Sequence, residues 1–160
     1  MTTDTQPTDA VLVETRIAAS PTRVWNALTD EIGEWWPNEF YTGGQPGKRA
    51  YTLDARPGGS MRETWEDGGG LEWARVITVM PEAMLQITGF AFPQWGGPSI
   101  LFGTWNLEAD GDGCKLRFTE HTLGVTPDGY AADKQKGWDF LFDGALKAYV
   151  EGTEPPKWED

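Results

Sequence analysis

The sequence predicts one α+β domain in which an antiparallel sheet is combined with a long C-terminal helix. Three patterns indicate this class: an alternating apolar run near the N-terminus, a series of alternating runs in the middle of the chain, and apolar residues at helical spacing near its end. A chain of 160 residues can bury one sizeable core but not two. We therefore expect a disordered lead-in over residues 1–9, a single domain over residues 10–152 and a flexible tail over residues 153–160.

The first two elements are a strand and a short helix. In AVLVETRIAA, polar residues alternate with a row that would form a buried strand face: Val11, Val13, Thr15 and Ile17. Ser20 and Pro21 then supply a capping side chain and a proline suited to the first position of a helix. The sequence therefore predicts a helix that starts at Pro21. Pro37 ends any helical continuation, because the residue before a proline avoids the helical region.

Six short alternating runs follow, each bounded by glycine, proline or acidic residues that form turns. They cover residues 49–56, 60–66, 71–80, 84–90, 100–109 and 114–123. Successive strands joined in this way predict an antiparallel meander. The break FPQWGGPS is longer than a tight turn and has Trp95 at its tip, so we expect a mobile flap there.

The last element is predicted to be a long amphipathic helix. Its apolar stripe recurs at helical spacing and consists of Trp138, Leu141, Phe142, Ala145 and Tyr149. Gly137 and Gly144 each lower the helix propensity by about 1 kcal/mol relative to alanine. We therefore expect these two glycines where the helix backbone approaches the sheet closely.

Composition and charge exclude several classes of partner. The net charge is −12, from 25 acidic and 13 basic residues, and such a surface repels nucleic acid and anionic lipid headgroups. A single cysteine cannot form an internal disulfide, and the N-terminal residues lack the pattern of a secretory signal. No apolar run approaches the roughly 20 residues that cross a bilayer. We expect a cytoplasmic protein that binds neither nucleic acid nor membranes.

Residue types that commonly carry catalysis or bind metals are sparse. The chain has one histidine, His121, one cysteine, Cys114, and three serines, and their spacing implies no nucleophile with its base. Zinc favours several histidine or cysteine ligands, and the acidic segment EADGDG is typical of a hairpin turn. We therefore assign no catalytic residue, no metal and no cofactor. His121 is predicted to face solvent and Cys114 to be a small packing residue.

Three charged residues, Glu63, Arg75 and Glu120, share strand faces with large apolar side chains. If these faces meet the C-terminal helix, the charges lie in an apolar enclosure, where a paired charge can orient a ligand. The alternative is that a bulge or twist turns one or more of them to solvent, or that Arg75 pairs with a carboxylate as part of the framework. Alternation groups Met61, Glu63 and Trp65 on one face, Trp73 and Arg75 on a second, and Phe118 and Glu120 on a third.

Four segments occur in the order IAASPTRVWNALTD, PGGSMRETWEDG, EWARVITVMPEAMLQI and GWDFLFDGALKAYVEG. Together they resemble bacterial single-domain members of the family named for the activator of the heat-shock-protein-90 ATPase. That family belongs to the START-like, birch-pollen-allergen-like superfamily (SRPBCC), and the resemblance covers about residues 10–152. It implies a helix-grip fold, in which a curved antiparallel sheet wraps around the C-terminal helix and leaves a cavity between them.

The resemblance also implies that the segment EWWPNEF lies at one mouth of this cavity. Trp36 and Phe40 are then expected to wall the mouth, with Trp35 turned the opposite way; the alternative is that both rings cap the core. With the strand faces and the helix stripe, this gives a predicted set of ligand-binding residues. The set is Trp36, Phe40, Met61, Glu63, Trp65, Trp73, Arg75, Phe118, Glu120, Trp138 and Phe142.

These features favour non-catalytic binding of a small hydrophobic or amphipathic ligand, with Glu63 as a polar anchor for a hydroxyl or amine. On this interpretation Glu63→Leu keeps or increases stability, because it removes a buried charge, and weakens ligand binding.

Two alternatives follow from the resemblance. One is a cochaperone-like protein whose partner is a heat-shock ATPase. The other is an enzyme related to cyclases or hydratases, with Glu63 and Glu120 as general acid or base. Self-association through an edge strand or the flap, and the identity of the ligand, stay open.

Overall fold

The fold is a seven-stranded antiparallel sheet that curls around a C-terminal helix, as seen in the computed structural model, which describes residues 9–159. The strand order across the sheet is β1-β7-β6-β5-β4-β3-β2, so that β1 and β2 form its edges. Apart from the crossover that brings β7 beside β1, neighbouring strands are consecutive, which is the predicted meander. The strands are β1 (Asp9–Ile17), β2 (Arg49–Leu53), β3 (Ser60–Trp65), β4 (Gly70–Met80), β5 (Met84–Ala91), β6 (Ser99–Asp110) and β7 (Gly113–Gly124).

The helices lie between β1 and β2 and after β7. The first pair is α1 (Pro21–Leu28) and α2 (Ile32–Trp35), followed by a short 3₁₀ turn (Asn38–Phe40). The C-terminal helix consists of α3 (Tyr130–Asp139), a π-helical segment (Phe140–Leu146) and α4 (Lys147–Glu151). The predicted α+β class and helix-grip fold are confirmed. None of the described helices has the length and apolar character needed to cross a bilayer.

The N-terminal elements form where the sequence predicts them. The side chain of Ser20 accepts a hydrogen bond from the backbone N–H of Arg23, so it caps α1 as expected. The alternating row of β1, Val11, Val13, Thr15 and Ile17, is buried against the core. Of the predicted lead-in, residues 1–8 lie outside the described residues, and Asp9 begins β1.

A β-bulge in β4 shifts its alternation by one residue. The pairing with β3 changes after Met61, which lies opposite Ala74, and Trp73 becomes the extra residue. As a result, the neighbours Trp73 and Ala74 both face the interior. Arg75 turns outward, where it is exposed and pairs with Glu72 at 2.8 Å between Nε and Oε1. The prediction that Arg75 faces the enclosure is therefore wrong, because it assumed uninterrupted alternation.

The C-terminal helix buries three of the five residues of the predicted stripe, and the other two, Trp138 and Tyr149, are partly buried against the core. Trp138 is half-buried, and Tyr149 lies at the margin of the core, where its hydroxyl donates to Glu31 Oε2 at 2.8 Å. Beyond the π-helical segment, Ala148 is also buried, three residues after Ala145. The buried residues are Leu141, Phe142, Ala145, Leu146 and Ala148.

The two helix glycines have other neighbours than the predicted sheet. A Cβ atom at Gly137 would lie 3.5 Å from Phe40 Cε1, and one at Gly144 would lie 2.8 Å from Pro156 Cγ. Gly137 thus gives space beside Phe40, and Gly144 lets the chain that follows the helix pack closely against it.

The segment after the helix, predicted to be a flexible tail, folds back onto the helix. The Trp158 ring meets the rings of Phe40 and Phe140 edge-on, with centroids 5.0 Å apart in both pairs. Lys136 Nζ lies 4.7 Å from the Trp158 ring centroid and donates to the backbone oxygen of Glu159 at 2.6 Å. The structure therefore gives this segment defined contacts.

Candidate functional site

A cavity of about 290 Å³ lies between the sheet and the C-terminal helix. It is partly open to solvent, and its walls are mainly apolar, which is typical of a site for a small organic molecule. Rings and aliphatic side chains from both layers line it, and four charged or hydroxyl-bearing residues lie among them. The lining residues are Trp36, Phe40, Tyr51, Met61, Trp73, Ala74, Ile87, Leu101, Pro127, Tyr130, Asp133, Lys134, Gly137, Trp138 and Leu141.

The segment after α2 supplies two of the aromatic walls. Trp36 stacks on Tyr51 of β2, with ring centroids 3.9 Å apart and an interplanar angle of 13°. Phe40 meets Trp36 edge-on at 6.4 Å and stacks on Phe140 at 5.6 Å. Trp35 does not line the cavity, and its indole donates to the backbone oxygen of Ala27 at 2.7 Å. The prediction that Trp36 and Phe40 lie at the cavity while Trp35 turns away matches this geometry.

The helix side of the cavity comes from one face of α3. Tyr130, Lys134 and Trp138 follow one another at intervals of four residues, so their side chains lie in a row along this face. Trp138 is fixed from behind by Phe142, with centroids 5.3 Å apart and nearly parallel planes, and by Phe118 at 4.8 Å. The row therefore presents a fixed indole and a flexible cation to the same space.

Glu63 is fully buried and accepts hydrogen bonds from neutral donors only, among the residues that the structure describes. Its oxygens accept from the backbone N–H of Thr42 at 3.1 Å and from the Thr42 hydroxyl. The indole N–H groups of Trp65 and Trp73 donate to it at 2.9 and 3.2 Å. Glu63 does not line the cavity. It holds Trp73 from behind, and so orients a cavity wall instead of meeting a ligand itself.

Glu120 has a similar position behind the opposite wall. It is 1% exposed, and its Oε2 accepts from the Trp138 indole at 2.8 Å. Its Oε1 accepts from the Thr122 hydroxyl at 3.3 Å and lies 3.7 Å from Lys134 Nζ. The Tyr130 hydroxyl lies 3.3 Å from the Thr122 hydroxyl and extends this network to the rim of the cavity. Both buried carboxylates therefore fix an indole that faces the cavity.

Tyr51 is the buried hydroxyl-bearing residue of the cavity wall. Burial raises the pKa of Tyr51 well above its ordinary value, and the negative charge of Glu63 adds to this effect. Its phenol therefore stays protonated across the physiological range, and the wall gains a neutral polar group instead of a charge.

The predicted ligand-binding residues fall into three groups. Five line the cavity: Trp36, Phe40, Met61, Trp73 and Trp138. Four are buried behind its walls: Glu63, Phe118, Glu120 and Phe142. The other two lie elsewhere, since Trp65 is half-buried at the end of β3 and Arg75 is exposed.

Sequence reasoning missed most of the remaining lining residues for identifiable reasons. Tyr51 lies on the inward face of β2, and its alternation with Leu53 could have indicated it. Tyr130 and Lys134 belong to the first turns of α3, which begins earlier than the predicted stripe. Ala74 is inward only because of the bulge, which no residue pattern marked.

Cys114 and His121 lie outside the cavity and have the predicted burial and exposure. Cys114 is fully buried, and burial raises the pKa of its thiol, so it acts as a small packing residue. His121 is exposed on the outer face of β7. Among residues 9–159, no three histidine, cysteine, aspartate or glutamate side chains lie close enough together to hold a metal ion.

Comparison with known proteins relates this geometry to a family. Residues 18–151 match the sequence profile described as Activator of Hsp90 ATPase homolog 1-like protein. Comparison with curated protein sequences finds no significant match.

Several solved structures share the fold. An uncharacterized protein from Rhizobium leguminosarum is 23% identical with a TM-score of 0.69, and the alignment covers 91% of this chain and 96% of that one. Ara h 8.0201 is 18% identical with a TM-score of 0.65, covering 92% and 100%. The Aha1 dimer from Colwellia psychrerythraea is 21% identical with a TM-score of 0.60, covering 89% and 96%. At these identities the likenesses establish the architecture alone.

Proposed function

The chain belongs to the Activator of Hsp90 ATPase homolog 1-like family, and we propose that it binds one small hydrophobic or amphipathic molecule in the cavity between the sheet and the C-terminal helix. The observation that carries this proposal is the cavity itself, about 290 Å³ of space with mainly apolar walls and an opening to solvent. Apolar surface that faces water-accessible space is unfavourable, and a ligand that covers it gains free energy from burial.

The walls of the cavity are held in place before any ligand arrives. Trp73 and Trp138 each donate an indole N–H to a buried carboxylate, at 3.2 and 2.8 Å. Trp36 is held by its stack on Tyr51. When the walls are already fixed, less side-chain conformational entropy is lost on binding. This supports the interpretation that the cavity is a binding site and not a space that side chains fill transiently.

The two buried carboxylates give less support to the enzyme hypothesis. Glu63 and Glu120 point their oxygens at indoles behind the wall, and neither lines the cavity. A general acid or base must come within hydrogen-bond reach of the substrate. A chaperone partner stays a prediction that rests on the family description.

The test is a titration of the purified protein with N-phenyl-1-naphthylamine, a neutral dye whose emission rises in apolar surroundings. We expect saturable binding near one dye per chain, with quenching of tryptophan emission. Ala74→Phe should weaken binding at least about tenfold, because the added ring occupies the cavity. Arg75→Gln is the matched control, since its side chain is next in sequence but exposed.

Two outcomes would contradict the proposal. One is the absence of saturable dye uptake by the unchanged protein. The other is equal affinity in Ala74→Phe and Arg75→Gln, which would place the dye outside the cavity.

A further inference from the structure

The polar groups at one end of the cavity indicate what kind of ligand it takes, an inference that rests on the proposed function. We infer that the ligand has an aromatic body and a neutral hydrogen-bond acceptor, such as a ketone oxygen, and that the Lys134 ammonium donates to this acceptor. Lys134 would then determine specificity, while the rings supply most of the contact area.

Lys134 has donor capacity that the protein does not use. Its Nζ lies 5.5 Å from the ring centroids of both Tyr130 and Trp138, so the ammonium is positioned between two side chains of the cavity. Within residues 9–159, its one ion-pair partner is Glu120, at 3.7 Å, which is longer than a direct hydrogen bond. An ammonium has three N–H donors, so a ligand oxygen can accept from it without displacing Glu120.

The charges around Lys134 favour a neutral acceptor over an anion. Glu120 is 1% exposed, and its negative charge already offsets the charge of Lys134. A ligand carboxylate beside Lys134 would place a second negative charge near a carboxylate that water does not screen. Asp133, exposed at the rim, and the net charge of −12 act in the same direction.

A cationic ligand is disfavoured for a different reason. Rings attract cations to their faces, but Lys134 already occupies the position over Tyr130 and Trp138. A second cation in the cavity would be repelled by this ammonium. Asp133 offers some compensation at the rim, where its carboxylate is exposed and its field is weakened by solvent.

The rest of the cavity suits a flat, apolar body. Trp36, Tyr51 and Trp73 line the side opposite the helix, and Trp138 lies on the helix side. Aromatic rings offer both stacked and edge-to-face contacts to another ring, which adds to the gain from burial. The acceptor on such a body would lie at the end of the cavity where Lys134 is found.

Four naphthalene probes separate the body from the polar group: naphthalene, 2-acetylnaphthalene, 2-naphthoate and 2-(aminomethyl)naphthalene. Isothermal titration calorimetry at neutral pH gives their affinities for the unchanged protein. We expect the affinity of the ketone to exceed that of naphthalene by about tenfold or more, because the ketone oxygen accepts a hydrogen bond from a charged donor. The carboxylate and the amine should both bind more weakly than the ketone.

Variants then test whether Lys134 is responsible. In Lys134→Met the advantage of the ketone over naphthalene should fall to about twofold or less. Because this change leaves Glu120 buried without its cation, the double variant Lys134→Met with Glu120→Gln removes both charges and keeps an oxygen for the Trp138 indole. Lys147→Met is the matched control: Lys147 pairs with Asp143 at the same distance, 3.7 Å, on the same helix, and does not line the cavity. It should keep the full advantage of the ketone.

The outcomes distinguish this inference from the proposed function. If neither the dye nor any of the four probes binds, the proposed function fails and the inference fails with it; if the dye binds but none of the probes does, the inference alone is overturned. If naphthalene binds but the ketone has no advantage, or the carboxylate or amine binds more tightly than the ketone, the inference alone is overturned. An advantage that survives in the double variant would also overturn it, by showing that another group meets the acceptor.

Discussion

Two regions of the interior differ in how their rings are held. In the filled region, formed by Trp105, Phe118, Phe142 and Leu146, the three rings lie 4.7–5.7 Å apart and contact one another directly. In the hollow region, formed by Trp36, Phe40, Tyr51 and Trp73, rings contact neighbours on one side and face the cavity on the other.

The difference teaches that one wall of the hollow region, Trp73, depends on polar support. Rings in the filled region are fixed by dense packing, which resists any change of volume. In the hollow region, Trp73 depends on a hydrogen bond to buried Glu63, and Glu63 in turn ties down Thr42. A ring that borders open space has fewer packing contacts to fix it, and at Trp73 a directional bond adds restraint.

The largest expected loss of stability comes from a substitution in the filled region. Phe118 is fully buried between Trp105, Trp138 and Phe142. Phe118→Ala should destabilise the protein by about 3–5 kcal/mol, since surrounding rings can only partly close the space. The measurement is the free energy of unfolding from a guanidinium chloride titration. A loss below about 1 kcal/mol would show that this region is as adaptable as the hollow one.

The second-largest loss of stability is expected when a substitution removes the carboxylate that supports Trp73 in the hollow region. Glu63→Leu leaves the Thr42 N–H and the indoles of Trp65 and Trp73 without their acceptor. We expect a loss of about 2–3 kcal/mol, in which unpaired buried donors outweigh the relief of removing a charge. The sequence alone led to the opposite expectation, because it did not show these donors.

Glu63→Gln is the control for this prediction. It keeps one carbonyl oxygen, which can still accept from Thr42 and Trp65, and should cost about half as much as Glu63→Leu. Chemical denaturation of both variants gives the comparison. If Glu63→Leu unfolds at the same midpoint as the unchanged protein, the proposed support by Glu63 is refuted.

The smallest expected loss of stability comes from substitutions that add side-chain volume to one region or the other. Ala145 is buried in the π-helical segment beside the filled region, whereas Ala74 faces the cavity. Ala145→Leu should cost about 1–3 kcal/mol because the space is occupied. Ala74→Leu should change stability by about 0.5 kcal/mol or less, because the cavity accepts the added carbons. Equal losses in a thermal denaturation series would mean that the cavity is not open space.

The sequence predicted those features of the structure that are determined by residues close to one another along the chain. Strand alternation and the Ser20 cap follow from spacing and turn chemistry within a few residues, whereas the Trp36 and Phe40 walls were expected from the resemblance to the family. Arg75 could not be placed, because the bulge at Trp73 arises from the pairing of β4 with β3. The phase of the C-terminal helix follows from its spacing, since Leu141, Phe142 and Ala145 are buried and Trp138 and Tyr149 pack against the core.

The role of Glu63 shows a further limit of sequence reasoning. Alternation correctly predicted that its side chain is buried with Met61 on one strand face. Its donors, however, include Thr42, which lies 21 residues earlier in a connecting segment. Only the folded chain shows whether a buried carboxylate is free to meet a ligand or already satisfied by its neighbours.

Phe40 belongs to the cavity wall on one side and to the contact with Trp158 on the other. If the cavity binds a ligand as proposed, docking of Trp158 and occupancy of the cavity are linked equilibria, because both involve Phe40. A ligand that favours one position of Phe40 changes the free energy of Trp158 docking, and docking changes the affinity for that ligand by the same amount. The rate at which a protease cleaves within residues 153–159 thus becomes a readout of cavity occupancy, without any label on the ligand.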